Sequence, residues 1–193
     1  MILLSILICA LEERIKMLTP LLSDLEKQIV ENGATGLVEI LVEMDNRKIT
    51  TGAKRNILLN RSKGIYSVWV DEDDWLPPYY VEEMIKACQS GCDAVGMSGI
   101  MTTDGEKEME WHIGKDYKYC KAVGLDGKEC YYRYNNHLTP IKREIAIQFG
   151  FPDKVFGEDY DYSTAVHKSG LIKTEYRIER KPMYHYKFLS NKP

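Results

Sequence analysis

Four carboxylates in a row, Asp71, Glu72, Asp73 and Asp74, stand where an apolar run over residues 65–70 stops. Like charges packed that closely repel one another unless a cation or solvent offsets them, and carboxylate oxygens are the hard ligands that divalent ions such as Mg²⁺ and Mn²⁺ take. The preceding run has the length and composition of a buried strand, and the carboxyl edge of a parallel sheet is where open α/β folds bind ligands. A solvated acidic turn ahead of the helix that begins near Pro78 would have the same composition, so the assignment depends on what else reaches that edge. Two other strand ends contribute: Glu12 and Arg14 follow the first apolar run, and Asp45 follows the second. All would share one edge of a parallel sheet, which makes Glu12, Arg14, Asp45, Asp71 and Asp73 candidates for a common ligand despite their separation in sequence.

The elements that must hold these residues follow from hydrophobic spacing. Residues 2–9 are a continuous apolar run of strand length, and 13–31 carry apolar residues at helical spacing (Ile15, Leu18, Leu22, Leu25 and Ile29) up to Asn32 and Gly33. Residues 37–42 predict a second strand, 53–61 a helix, 66–70 a third strand, 80–90 a helix and 93–97 a fourth strand. This βαβαβαβ order argues for a mostly parallel sheet with right-handed crossovers. From Gly99 the pattern is irregular and rich in tyrosine, with helices expected over 141–149 and 160–169 and a strand over 171–178. Neither G-x-G-x-x-G after the first strand nor a Walker lysine motif is present, so a phosphate ligand would be met by a metal ion and basic side chains.

At 193 residues, with 44% apolar and 28% charged residues, the chain is expected to form one soluble domain, 1–193. A net charge of −3 gives no global reason to expect nucleic acid or an anionic membrane. It conceals an asymmetry: residues 1–110 carry 11 Lys and Arg against 19 Asp and Glu, a net of −8, whereas 111–193 carry 15 against 10, a net of +5. The first part suits a cation and the second something anionic. Five cysteines with no C-x-x-C pair argue against a disulfide framework or zinc site and for a reducing compartment. The apolar segment at residues 1–11 lacks a basic flank and is shorter than the ~20 residues of a membrane span, so a cytoplasmic location is expected.

These motifs, in this order, resemble family 2 glycosyltransferases with the GT-A fold, and among them the short single-domain members of phage and large-virus genomes. The resemblance rests on residues 6–14, on 38–45 ending in Asp45, on Thr51-Gly-Ala-Lys-Arg-Asn56, on 64–74, on Asn136-His-Leu-Thr-Pro-Ile-Lys-Arg-Glu144 and on Gly157-Glu-Asp-Tyr-Asp161. It implies a nucleotide-sugar half over 1–98 and an acceptor and catalytic half over 99–193. Asp71-x-Asp73 matches the family's D-x-D, whose acids contact the ribose and help hold Mn²⁺ or Mg²⁺ on the diphosphate. Asp45, Lys54 and Arg55 fall where the family contacts the nucleotide, and His185 where many members complete the metal shell. Glu158 and Asp159 match the E-D pair that takes the proton of the acceptor hydroxyl, with Asp159 the base and Glu158 holding the acceptor, or the reverse. Trp111 and His137 are candidate acceptor contacts.

Each assignment has a plainer counterpart: a turn-forming Asp45, a solvated helix face at Lys54, a helix-capping Asp74, acids that complement a helix dipole at 158–159, and a packing role for His185. The expected activity is metal-dependent transfer of a sugar from a nucleoside diphosphate, UDP above all, to a hydroxyl of a glycan, protein or modified nucleobase, with inversion. A noncatalytic sugar-nucleotide or glycan-binding module is the first alternative. A glycosyltransferase acting on a hydroxylated DNA base is the second, since 115–121 and 131–134 interleave basic and aromatic residues as strand-binding surfaces do. With little chain beyond His185, acceptor recognition is expected from residues 100–140 or from another subunit.

Overall fold

The computed structural model describes residues 1–123 and 127–188. At its centre lies β1 (Leu4–Leu11), flanked in parallel by β2 (Val38–Asp45) and β3 (Tyr66–Trp69). Successive side chains of a strand face opposite ways, and here both faces are covered. Leu4, Ile6, Ile8 and Ala10 pack with Leu18, Leu25 and Met84 of α1 (Ile15–Glu31) and α3 (Tyr80–Gln89). Leu7 and Cys9 pack on the other face with Leu58, Tyr162 and Val166 of α2 (Thr51–Arg61) and α5 (Glu158–Ser169). Double coverage explains why β1 is apolar at nearly every position rather than alternating. A 3-10 turn over Glu12–Arg14 joins β1 to α1, and the Thr50 hydroxyl caps α2 by accepting from the Ala53 N–H at 3.1 Å.

The sheet is mixed. A two-residue strand, β8 (Ile141–Lys142), lies antiparallel between β3 and β4 (Ala94–Thr103), so the third and fourth strands expected from the sequence are not neighbours. The helix expected over 141–149 is correspondingly reduced to α4 (Arg143–Ala146). Fully buried Ile141 fills the gap between β3 and β4, and that pairing overrides a helical spacing only nine residues long.

Strand β4 is twice the expected length. Its first residues pair with β8 and β9 (Glu175–Arg177), and the rest with β5 (Glu106–Ile113) and β10 (His185–Phe188). Strands β6 (Cys120–Val123) and β7 (Glu129–Arg133) extend this second part of the sheet beyond β5. Gly99 sits where a Cβ would lie 2.2 Å from the Trp111 ring and 2.4 Å from the Tyr184 carbonyl oxygen, so β4, β5 and the segment before β10 close up only around a residue without a side chain. Among the described residues no helix is long and apolar enough to cross a membrane.

Candidate functional site

The parallel strands end at one edge, where Leu11 of β1 pairs with Asp45 of β2 and the acidic turn follows β3. Across from this edge stands one face of the second part of the sheet: Met101, Trp111, Ile113, Tyr131, Arg133 and Tyr186. Between them lies a cavity of ≈ 680 Å³, whose lining includes Cys9, Arg14, Lys54, Arg55, Asp71, Glu72 and Asp73 on the strand-end side and His137, Glu158 and Asp159 where α5 begins. Gly157 precedes that helix at φ 75, a left-handed conformation that glycine takes without steric cost, and it directs the chain so that two carboxylates open α5 beside the cavity.

The acidic turn is internally organised. Asp74 is tied down away from the cavity: its carboxylate accepts from the Tyr184 hydroxyl at 2.7 Å and from the Lys187 N–H at 2.8 Å. The same Tyr184 oxygen accepts from the Asp71 N–H at 3.1 Å, so Tyr184, just before β10, ties both ends of the turn together. Asp74 thus anchors the turn and does not cap α3. Burial, then the charge of Asp71, pushes the Asp74 carboxyl well up; burial and the charges of Asp73 and Asp71 raise Glu72. Arg14 reaches Glu72 at 3.2 Å and Asp73 at 3.1 Å, which leaves the turn crowded with negative charge facing the cavity.

Arg55 is the buried link between the two sides. Its Nη2 lies 3.4 Å from Asp71 and 3.5 Å from Glu158, and its guanidinium sits 5.4 Å from the centre of the Phe151 ring. Burial opposes its charge, but the surrounding groups, Asp71 above all, outweigh it and raise its pKa. Its Nε and Nη1 have no hydrogen-bond partner among the described residues. Glu158 is raised by burial, with Arg55 the chief opposing influence. His137 bridges the same two sides: Nε2 is 3.9 Å from Asp71 and Nδ1 is 3.9 Å from Asp159. Lys54 is buried, pairs with Asp45 and donates to the Ala10 carbonyl at 2.8 Å, so it is no solvated helix face. Burial pushes the Cys9 thiol up to about 12, which makes it a small apolar floor group rather than a nucleophile.

Arg14, Lys54, Arg55, Asp71, Asp73, Glu158, Asp159, His137 and Trp111 therefore share one cavity. Three expected residues stand apart. Glu12 is exposed on the 3-10 turn outside the cavity lining. Asp45 lies behind Lys54, its second oxygen accepting from the Lys48 and Ile49 N–H groups as turn-forming aspartates do; these bonds and Lys54 lower its pKa against the effect of burial. His185 does not join the acids. Its Nε2 contacts the Thr102 hydroxyl at 3.0 Å, whereas its neighbour Tyr186 lines the cavity, because alternate residues of β10 face opposite sides. His112 is turned away in the same manner, with Nδ1 on the Ser98 hydroxyl at 2.7 Å.

Sequence reasoning overlooked Tyr184, Tyr186, Met101 and Tyr119. For Tyr186 the signal was the period-2 alternation of β10, visible only once 185–188 is known to be a strand; Tyr184, Met101 and Tyr119 lie outside it. Among the described residues no group of three or more His, Cys, Asp and Glu side chains is arranged to hold a metal ion by itself.

The "Glycosyl transferase family 2" model matches residues 5–153. "Putative glycosyltransferase EpsH" of Bacillus subtilis (strain 168) is 26% identical over 187 residues, covering 86% of this chain and 53% of EpsH. Among solved structures, S. aureus TarS 1-349 shares the fold at a TM-score of 0.60 and 14% identity, covering 96% of this chain and 60% of TarS 1-349. The same fragment in complex with UDP-GlcNAc gives 0.61 and 13%, over 99% and 60%. The chain thus spans about half the length of the curated relative it matches. Both relatives are bacterial and do not bear on the expected likeness to phage and large-virus members. With the matched residues running from β1 past the acidic turn, and the GT-A architecture of TarS around them, the chain belongs to glycosyl transferase family 2.

Proposed function

We propose that this chain is a metal-dependent glycosyltransferase that moves a sugar from a UDP-linked donor to a hydroxyl acceptor by single displacement with inversion. The observation that carries this reading is the placement of Asp71 and Asp159 on the two nitrogens of one buried imidazole, each at 3.9 Å. A donor-side acid and an acceptor-side carboxylate thus line the same cavity with one imidazole between them, an arrangement that suits an in-line displacement. Asp159 accepts the proton of the attacking hydroxyl, a poor nucleophile at neutral pH without such a base. Glu158, held on Arg55, orients the acceptor and the helix that carries the base.

UDP as the nucleotide is supported by the UDP-GlcNAc and UDP complexes of TarS. Buried Lys54 and Arg55, with two Arg55 nitrogens lacking protein acceptors among the described residues, offer positive charge and donors toward a diphosphate. Mn²⁺ or Mg²⁺ fits Asp71 and Asp73: two hard carboxylates in a turn crowded with negative charge suit an ion that takes its remaining ligands from substrate phosphates and water. When bound, such an ion neutralises charge developing on the departing diphosphate. His185 has no part in this scheme.

The test is Asp159→Asn. Transfer measured as UDP release should fall roughly 100-fold or more, the usual contribution of a general base, with UDP affinity retained. Full transfer by the variant removes the base assignment. Saturable donor binding by the wild type without transfer to any acceptor or water would favour a noncatalytic module.

A further inference from the structure

Among the described residues, five basic side chains line the cavity, and four have carboxylate partners: Arg14 on Glu72 and Asp73, Arg47 on Glu13, Lys54 on Asp45, and Arg55 on Asp71 and Glu158. Arg133 of β7 forms no ion pair with any described residue. It is nevertheless held rigidly. The guanidinium lies 4.1 Å from the ring centre of Tyr119 and 4.5 Å from that of Tyr131, and Nη1 donates to the carbonyl oxygens of Tyr132 at 2.9 Å and Cys120 at 3.3 Å. A half-buried, fixed guanidinium is a fork shaped for a carboxylate or phosphate, and withdrawing it from water without an anion is costly.

Its position says which substrate supplies that anion. Arg133 stands on the second part of the sheet, across the cavity from the side where α2 brings Lys54 and Arg55 and the acidic turn brings Asp71. The ring of Tyr119 meets that of Tyr160 edge-on at 5.0 Å, and Tyr160 follows Asp159 in α5. Two aromatic contacts therefore link Arg133 to Tyr160, the residue that follows the carboxylate beside which the acceptor hydroxyl is placed. The Tyr119 hydroxyl is influenced by both ends of this chain: burial raises its pKa most, Arg133 opposes the rise and Asp159 adds to it. The excess of positive charge over residues 111–193 agrees with an anionic ligand on this side.

We propose that Arg133 is a specificity residue for an anionic acceptor, binding a phosphate or carboxylate carried by the molecule whose hydroxyl is placed at Asp159. This rests on the transferase reading above and narrows its acceptor to a sugar acid, a polyol phosphate or a related anionic hydroxyl compound. Of the aromatic-basic stretch 131–134, Tyr131 and Arg133 are thereby part of the cavity wall, while Tyr132 stacks on His112 and Tyr134 on His167.

The experiment is calorimetric titration of glycerol 3-phosphate and glucuronate against their neutral counterparts glycerol and glucose. Wild type, Arg133→Gln and Arg133→Lys are compared with and without saturating UDP and Mn²⁺, and UDP affinity is measured in each. The wild type should favour one or both anions by about 10-fold or more, and Arg133→Gln should lose about 10- to 100-fold, as for a charge-assisted hydrogen bond. Arg133→Lys keeps the cation without the stacked plane and should fall between; it also reports if the Gln variant does not fold. Which anion binds tells phosphate from carboxylate. Equal affinity for charged and neutral partners, or unchanged anion binding in Arg133→Gln, overturns the proposal, as does a selective loss of UDP affinity, which would assign Arg133 to the donor. Anion binding through Arg133 in a protein that binds no UDP would instead overturn the transferase reading, and with it the acceptor role, leaving only an anion site at Arg133.

Discussion

Replacing Arg55 with methionine should be among the most damaging changes in this molecule. The side chains of Arg55 and Glu158 are 4% and 6% exposed, and removing one member of such a buried pair costs about 3–5 kcal/mol because the other charge is stranded. The separations of 3.4 and 3.5 Å exceed the ~2.8 Å of a good charge-assisted hydrogen bond, which places the expected cost near the lower end, about 3 kcal/mol. For a domain of this size that lowers Tm by roughly 6–12 °C.

The loss should also depend on pH. Burial already raises the Glu158 carboxyl, and Arg55 is the main influence holding it down, so without Arg55 it rises further. A carboxyl raised in the folded state favours folding when protonated; that contribution is complete below its unfolded pKa and lost as pH rises through the folded value. The deficit of Arg55→Met should therefore be larger at pH 8 than at pH 5.5, and Glu158→Gln added to it should recover most of the loss at pH 8. Urea denaturation of wild type, single and double variants at both pH values measures this. A loss under about 1 kcal/mol, too small for breaking a buried pair, would refute the reasoning, as would equal loss at both pH values or no recovery in the double variant.

Two further substitutions test how the structure sorts the remaining residues. His185→Gln should cost no more than about 1 kcal/mol, the net worth of its bond to Thr102, and should leave Mn²⁺-dependent UDP affinity within about twofold; a loss above tenfold would return His185 to the metal. Gly99→Ala should destabilise by roughly 2–3 kcal/mol, because a methyl there meets the Trp111 ring and the Tyr184 carbonyl, and denaturation midpoints within experimental error of the wild type would show that β4, β5 and the segment before β10 pack less closely than described.

The parallel part of the fold was legible because its patterns are unambiguous: β1 is apolar at every position but Ser5, and α1 and α3 carry apolar residues at helical spacing up to clear stops. The acidic turn could be placed for the same reason, since it lies where an apolar run stops, whereas the Glu158–Asp159 pair was singled out by the family resemblance. The second part was not legible. Ile141 and Lys142 form a strand only because a gap between β3 and β4 awaits them, and four-residue β10 has no stop signals that distinguish it from loop. Without β10 as a strand, nothing separated His185 from Tyr186, and the imidazole was expected where the phenol stands. Lys54 could not be told from a surface lysine because it lies on α2 and its partners, Asp45 and the Ala10 carbonyl, come from β2 and β1.

The central claim is that the acidic turn of this chain binds a nucleoside diphosphate through a divalent ion. Its most direct test is thermal stabilisation of the purified protein by UDP, GDP and CDP, with and without Mn²⁺, in wild type and Asp73→Asn. A ligand that binds only the folded state at 100 times its Kd adds about 2.7 kcal/mol, equivalent to roughly 5–11 °C here. The account predicts a shift of that order for UDP that requires Mn²⁺ and disappears in Asp73→Asn. A folded protein that no nucleotide stabilises, or a UDP shift indifferent to both Mn²⁺ and Asp73, would contradict it.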